Sequence, residues 1–157
     1  MVEPLVCGSK PHENLGAKVL QSTAQPRGDG VMDRWVAYRE GRRHEVWEAA
    51  AGGGPSDLHL VYDDDGEALV RIELDGDGDG RMDRVFVYEA GRLAAERRDT
   101  SGDGRFDDVQ HYDSEGLIRL REEDVDSDGR VDVRTAYSRG RIVRREIMSP
   151  DSSVRIQ

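Results

Sequence analysis

An aspartate followed five residues later by a tyrosine recurs along this 157-residue chain. The five pairs are Asp33/Tyr38, Asp57/Tyr62, Asp83/Tyr88, Asp107/Tyr112 and Asp132/Tyr137, so successive aspartates are 24, 26, 24 and 25 residues apart. A fixed period of this length is typical of repeat proteins, in which each repeat is one supersecondary unit. We therefore predict five repeats over residues 25–148, between an N-terminal segment, 1–24, and a C-terminal tail, 149–157.

Each repeat has the pattern of a β-hairpin. Segments such as Trp35–Tyr38 and Val85–Tyr88 are β-branched and aromatic and are too short for a helix. A glycine follows each tyrosine after three or four residues, where a tight turn needs a positive φ angle. The predicted fold is all-β, an array of about five antiparallel hairpins with a period of about 25 residues. Residues 16–23 are a candidate for a leading strand.

Three of the joints between hairpins are strongly acidic: residues 75–83, 99–107 and 124–132. They hold 11 of the 33 acidic residues, so the other 22 nearly balance the 23 basic residues and the net charge of −10 is local. Carboxylates crowded in one short loop repel one another unless a cation neutralises them. The acidity also argues against nucleic acid as a partner.

The three loops share one register, with oxygen-bearing side chains at positions 1, 3, 5 and 9 and glycine at position 6. Calcium takes six to eight oxygen ligands, and a glycine at position 6 permits the sharp turn that such a loop needs. We predict about three calcium ions, with the position 7 backbone carbonyls as further ligands and Glu73 and Glu122 as candidates for the last ligand. The predicted ligands are Asp75, Asp77, Asp79, Arg81 and Asp83; Asp99, Ser101, Asp103, Arg105 and Asp107; and Asp124, Asp126, Asp128, Arg130 and Asp132.

These loops resemble the calcium loop of EF-hands, including the apolar residue at position 8, which is Met82, Phe106 or Val131. They depart from it at position 12, where an EF-hand has a bidentate glutamate and this chain has Phe86, Gln110 or Thr135 inside a predicted strand. The pattern Asp-x-Asp-x-Asp-Gly-x-x-Asp is also similar to loops of thrombospondin type 3 repeats and of FG-GAP propeller blades. These resemblances imply calcium binding without flanking helices.

The hairpins carry a second resemblance. Residues 62–66, Tyr-Asp-Asp-Asp-Gly, and 112–116, Tyr-Asp-Ser-Glu-Gly, are similar to the YD repeats of large bacterial surface and toxin-encasing proteins. The other three repeats have one residue fewer before the glycine. The resemblance implies a spiral sheet of hairpins.

The sequence shows no catalytic motif. Carboxylates in Asp-Gly loops suit ion binding better than acid-base catalysis, which needs one group held apart in a pocket. The four histidines show no spacing typical of zinc ligands, so we interpret them as surface or strand residues. We expect no enzyme activity and no membrane span.

The expected role is that of a calcium-binding structural, adhesive or binding module outside the cytoplasm, extracellular, on the cell surface or periplasmic. Weak calcium loops need a calcium-rich exterior to be filled. Cys7, the single cysteine, lies in a stretch similar to a bacterial lipoprotein cleavage site, so lipidation there stays open. The alternative is a protein-interaction scaffold, antitoxin-like or shell-like, with incidental metal. Candidate partners are a protein, a glycan or a second copy joined through the sheet ends.

Overall fold

The structure is a computed structural model that describes residues 22–24, 34–49, 56–148 and 155–156. Every regular element in these ranges is a β-strand, so they contain no helix of the length and apolarity needed to cross a membrane. The strands are β1 (Ser22–Ala24), β2 (Arg34–Arg39), β3 (Arg42–Glu48), β4 (Leu58–Tyr62), β5 (Leu69–Leu74), β6 (Arg84–Glu89), β7 (Arg92–Arg98), β8 (Asp108–Tyr112), β9 (Ile118–Glu123), β10 (Val133–Ser138), β11 (Arg141–Ile147) and β12 (Arg155–Ile156).

The chain divides into two compact units, Met1–Met82 and Asp83–Gln157. In the first unit, β1 to β5 pair in chain order, and each strand is antiparallel to the next. In the second unit, β6 to β12 pair in the same way. This arrangement confirms the predicted all-β fold of antiparallel hairpins. The short strand β1 falls at the end of the segment predicted to hold a leading strand.

Two kinds of hairpin alternate along the chain. The hairpins β2–β3, β6–β7 and β10–β11 close through two residues that both have positive φ, as in Glu40 (52°) and Gly41 (81°). Positive φ at both central residues is the mark of a type I′ turn, which matches the twist of the strands. The hairpins β4–β5 and β8–β9 have longer turns. In these, the side chain of Asp63 accepts from the amides of Glu67 and Ala68, and Asp113 accepts from Glu115 and Leu117.

The repeated tyrosine marks a β-bulge. In all five hairpins the pairing register shifts between the tyrosine and the residue before it, as between Ala37 and Tyr38 or between Val87 and Tyr88. A bulge adds one unpaired residue to one strand and increases the local twist. The fixed place of the tyrosine therefore reflects a recurring backbone irregularity next to each turn.

The two units differ in what covers the sheet. Residues opposite one another on paired strands share a face. In the first unit the face of the tyrosines is aliphatic and includes the fully buried Val46. In the second unit the same face holds buried polar side chains, namely Glu96, Asp108, Gln110 and Thr135.

A network of ion pairs and hydrogen bonds joins three of these side chains, Glu96, Gln110 and Asp108. Glu96 Oε1 accepts from Arg84 Nε and Arg98 Nε at 2.7 Å each, and its Oε2 accepts from the Tyr112 hydroxyl at 3.0 Å. Asp108 is bound by both Arg121 Nε and Nη2 at 2.9 and 3.1 Å. Burial raises the pKa of the Glu96 carboxyl, but its hydrogen bonds outweigh that effect and hold the pKa below its usual value. Glu96 is therefore ionised and paired at neutral pH.

In the first unit a histidine cluster occupies the face opposite the tyrosines. His59 stacks on Trp47, with ring centroids 4.8 Å apart. Its Nδ1 lies 2.6 Å from Glu73 Oε2 and its Nε2 lies 3.3 Å from Glu45 Oε2. His59 is thus a strand residue, as predicted, but it is held between two carboxylates, which the sequence did not indicate.

Candidate metal centre

Two of the acidic loops are closed by a backbone hydrogen bond where they leave and re-enter the sheet. In loop 99–107, which joins β7 to β8, the Asp107 amide donates to the Arg98 carbonyl at 2.8 Å. In loop 124–132, which joins β9 to β10, the Asp132 amide donates to the Glu123 carbonyl at the same distance. Position 9 therefore lies beside the residue that precedes position 1, and the two ends of each loop meet.

The carboxylate at position 1 folds the loop around itself. Asp99 accepts from the amides of Gly102 and Gly104 at 2.7 Å each, and Asp75 accepts from Gly78 and Gly80 at 2.7 and 2.8 Å. Gly78 and Gly102 have φ angles of 79° and 76°, and glycine adopts such angles without steric cost.

Loop 124–132 is built slightly differently. It has Ser127 at position 4, with a φ of 59°. Its Asp124 accepts from Asp128 and Gly129 at 3.2 and 2.7 Å. The tight bend therefore survives without glycine at this position, with one amide contact moved along by one residue.

Position 5 has a local role in all three loops. Asp79, Asp103 and Asp128 each accept, through Oδ1, from the amide two residues later at 2.8 Å. The donors are the amides of Arg81, Arg105 and Arg130, the residues whose carbonyls are predicted ligands. A carboxylate oxygen has more than one lone pair, so this contact leaves room for a cation on the same group.

Position 9 carries the most unusual side chain. Asp107 Oδ2 accepts from the Thr100 amide, the Thr100 hydroxyl and the Ser101 amide at 2.8 to 2.9 Å. Its other oxygen, Oδ1, is buried and has no hydrogen-bond partner, and the residue as a whole is only 5% exposed. Burial raises the pKa of this carboxyl, but the hydrogen bonds from Thr100 and Ser101 outweigh burial and lower the pKa below its usual value.

The structure brings together many of the predicted ligands. Asp99, Asp103 and Asp107 each offer a carboxylate oxygen, and these oxygens lie within 4.8 Å of one another. Asp124, Asp126 and Asp132 form the same kind of group, and Asp75 and Asp77 lie equally close together. The three acidic loops therefore contain carboxylates spaced so that they can hold a metal ion.

Two predicted ligands, Asp79 and Asp128, are not members of these groups. The Ser101 hydroxyl lies 3.4 Å from Asp99 Oδ1, at the edge of the second group. Asp83 opens the second unit, and its carbonyl accepts from the Asp99 amide at 2.8 Å.

The two glutamates that are candidates for the last ligand contact basic side chains on the sheet. Glu73 contacts His59, and Glu122 accepts from Arg134 Nε at 2.8 Å and lies 3.3 Å from His111 Nε2. Both glutamates therefore already have basic partners on the sheet face.

Successive loops are joined to one another, a feature that sequence reasoning missed. The Asp124 amide donates to the Asp107 carbonyl at 2.8 Å, so position 1 of one loop is bonded to position 9 of the loop before it. A Cβ placed on Gly129 would lie 3.1 Å from Arg105 Nη1, so the arginine of one loop packs against the glycine of the next. Only the equal period of the loops could have indicated this stacking from the sequence.

The joint before β4 shows what remains without the acidic residues. The Asp57 amide donates to the Glu48 carbonyl at 2.9 Å, and the Asp57 carbonyl accepts from the Asp75 amide at 2.9 Å. The same closing hydrogen bond therefore forms in a joint that has only the position 9 aspartate of the acidic pattern. The still earlier joint, residues 25–33, and Cys7 lie outside the described residues.

A scan of protein-family models finds no match to this chain, and a search of curated protein sequences finds no relative.

Proposed function

We propose that this chain is a non-enzymatic calcium-binding repeat module that acts outside the cytoplasm, with its ions in the three acidic loops. The observation that carries the proposal is the buried, unpartnered Oδ1 of Asp107 within a group of three carboxylates. A buried polar atom without a partner costs about 1 to 3 kcal/mol, and more when the group is charged. A cation bound at this oxygen would remove that cost.

The donor set favours calcium. Every side chain in the groups is a carboxylate, and the groups include no histidine or cysteine. Carboxylate and carbonyl oxygens suit hard cations, whereas imidazole and thiolate select zinc or copper. Loop 99–107 has three aspartates and one arginine, a formal charge of −2, which one divalent ion balances.

Calcium would stabilise the joints and do no chemistry. The position 1 and position 5 carboxylates already bind loop amides, so an ion would hold each loop in the shape that the backbone adopts. Without the bidentate glutamate of an EF-hand, we expect affinities in the range of extracellular modules, roughly 0.1 to 1 mM. Such sites are filled only in a calcium-rich exterior, which is the basis for placing the protein outside the cytoplasm.

Calcium titration by isothermal calorimetry tests the proposal, with wild type compared with Asp107→Asn. We expect wild type to bind about three ions and Asp107→Asn to weaken the site in loop 99–107 by about tenfold or more, a loss of about 1.4 kcal/mol. Asp64→Asn is the matched control, because the Asp64 side chain is 97% exposed and lies outside the loops. Absence of calcium binding by wild type at about 10 mM would disprove the proposal.

A further inference from the structure

The second strand of a type I′ hairpin can pair with the hairpin that follows it, and we call such a strand a seat. In the first unit, β3 pairs with β4 from Glu45↔Val61 to Glu48↔Leu58. The turn of the β4–β5 hairpin lies on the beginning of β3, where a Cβ on Gly66 would be 2.6 Å from the Arg43 carbonyl oxygen. The seat therefore consists of four paired residues and a stretch just before them that contacts a turn.

The turn on this seat is acidic and the seat is basic. Arg42 Nη1 donates to Asp65 Oδ1 at 2.8 Å, and the Arg43 guanidinium lies 3.9 Å from the centroid of the Tyr62 ring. Both contacts involve the turn of residues 62–66, Tyr-Asp-Asp-Asp-Gly. In the second unit, β7 pairs with β8 in the equivalent register, from Ala95↔His111 to Arg98↔Asp108, and Arg92 takes the place of Arg42.

The strand β11 is a third seat of this kind, and no hairpin lies on it within the described ranges. Ile142 and Val143 are 59% and 63% exposed, whereas Leu93 and Ala94, their counterparts in β7, are half-buried. On this side of β11 the only described pairing joins Glu146 and Ile147 to the two residues of β12. Residues 141–145 are therefore all exposed, whereas most of their counterparts in β3 and β7 are half-buried or buried.

We propose that β11 is a docking edge for an external β-hairpin with an acidic Tyr-Asp-x-x-Gly turn. Arg141 takes the place of Arg42 and would bind a carboxylate of the turn, while Ile142 and Val143 would be covered. The partner strand would pair with residues 144–147 and displace β12. This proposal gives a structural basis to the protein-interaction role that the sequence left as an alternative.

Charge selects this partner over a second copy of β11. The strand and its turn carry four arginines, Arg139, Arg141, Arg144 and Arg145, and one acid, Glu146, which pairs with Arg144. Two such edges facing one another would repel, and like charges opposite one another destabilise a strand pair. An acidic hairpin is attracted by the same four side chains.

A fluorescein-labelled peptide of residues 57–74, the β4–β5 hairpin, serves as the probe, with anisotropy measured against the full chain. We expect saturable binding that Arg141→Glu and Ile142→Lys each weaken by about tenfold or more. Arg119→Glu, an exposed arginine on β9, is the matched control and should leave binding unchanged. A chain ending at Met148 should bind more tightly, because β12 no longer competes.

A second probe, in which Asp63, Asp64 and Asp65 are replaced by Asn, should bind more weakly than the first. The proposal is overturned if neither the full chain nor the shortened chain binds the acidic probe at about 1 mM. It is also overturned if the seat variants bind as well as wild type. Dimerisation of the chain alone that Ile142→Lys abolishes would show that the occupant is a second copy, and would equally overturn it.

Discussion

The two units of this chain are built from the same alternating hairpins but are stabilised differently. The first unit buries aliphatic side chains such as Val46 on the face of the tyrosines, and holds a histidine between two glutamates on the other. The second unit buries Glu96, Asp108 and Gln110 on the face of the tyrosines and contains two complete acidic loops. A hairpin repeat can therefore keep its backbone plan while hydrophobic burial is replaced by paired charges.

The acidic loops and the polar face occur together in the second unit for an energetic reason. Burying a paired charge gives little net stability, because the cost of desolvation offsets much of the attraction between the partners. Among the described residues of the second unit, only Val85, Ala95 and Val133 are buried hydrophobic residues. A unit with so small an apolar core benefits from bound metal, which stabilises the folded state through its binding free energy.

Calcium removal should therefore destabilise the second unit more than the first. With about 10 mM calcium and dissociation constants of roughly 0.1 to 1 mM, two sites stabilise the second unit by about 3 to 5 kcal/mol. Amide hydrogen exchange followed by mass spectrometry should show that EDTA speeds exchange strongly in β7 to β11 and only weakly in β2 to β4. Equal effects in both units would contradict the comparison. The variant Asp103→Ala with Asp126→Ala, which removes one carboxylate from each group in the second unit, should no longer respond to EDTA there.

The longer turns offer a matched pair of substitutions, one in each unit. Gly66 and Gly116 occupy the same turn position with φ angles of 75° and 79°, where a side chain costs about 1 to 2 kcal/mol. A Cβ on Gly66 would also press on Arg43 backbone atoms, whereas one on Gly116 would meet nothing within 4 Å. We expect Gly66→Ala to cost about 3 kcal/mol and Gly116→Ala about 1 kcal/mol in urea unfolding. Equal losses would mean that the Gly66 turn does not pack closely on β3.

The histidine cluster should give the first unit its own dependence on pH, with an effect of about 1 kcal/mol or less. Burial lowers the pKa of His59, but its contacts with Glu45 and Glu73 outweigh burial and raise the pKa above 6.5. A raised histidine pKa adds stability that is complete below the unfolded-state pKa and disappears as pH rises through the folded-state pKa. The stability advantage of wild type over His59→Gln, measured by thermal melts, should therefore shrink as pH rises above about 6.5.

At low pH the contribution of the same cluster to stability changes with pH in the opposite direction. The hydrogen bond from His59 is the main reason that the pKa values of Glu45 and Glu73 fall below 4.5. Lowered carboxyl pKa values add stability above about pH 4.5 that disappears as pH falls through the folded-state values. Wild type should thus have its largest advantage over His59→Gln between about pH 4.5 and 6.5. An advantage that does not change with pH would show that His59 acts only through its stacking on Trp47.

Much of the fold could be predicted because the Asp-to-Tyr spacing fixes the period and because β-branched and aromatic segments are short. The residues of the acidic loops could be placed in one register for the same reason. The hydrogen-bond partners of the carboxylates could not be predicted. Asp99 and Asp79 accept from amides of their own loops, and these bonds depend on backbone angles that the sequence does not fix. The cluster around His59 depends on cross-strand register: His59 pairs with Trp47 in a regular ladder, and it pairs with Glu73 because of the bulge beside Tyr62.

The alternation of turns has a consequence for how such a protein can change in length. Tyr38 and Tyr88 are 50 residues apart, as are Tyr62 and Tyr112, and each pair closes the same kind of hairpin. The repeating module is therefore two hairpins long, a type I′ hairpin followed by an aspartate-capped one. Duplication or deletion of a whole module would keep every basic seat next to an acidic turn. Loss of a single hairpin would place two turns of the same kind side by side, so such arrays should grow and shrink in steps of two.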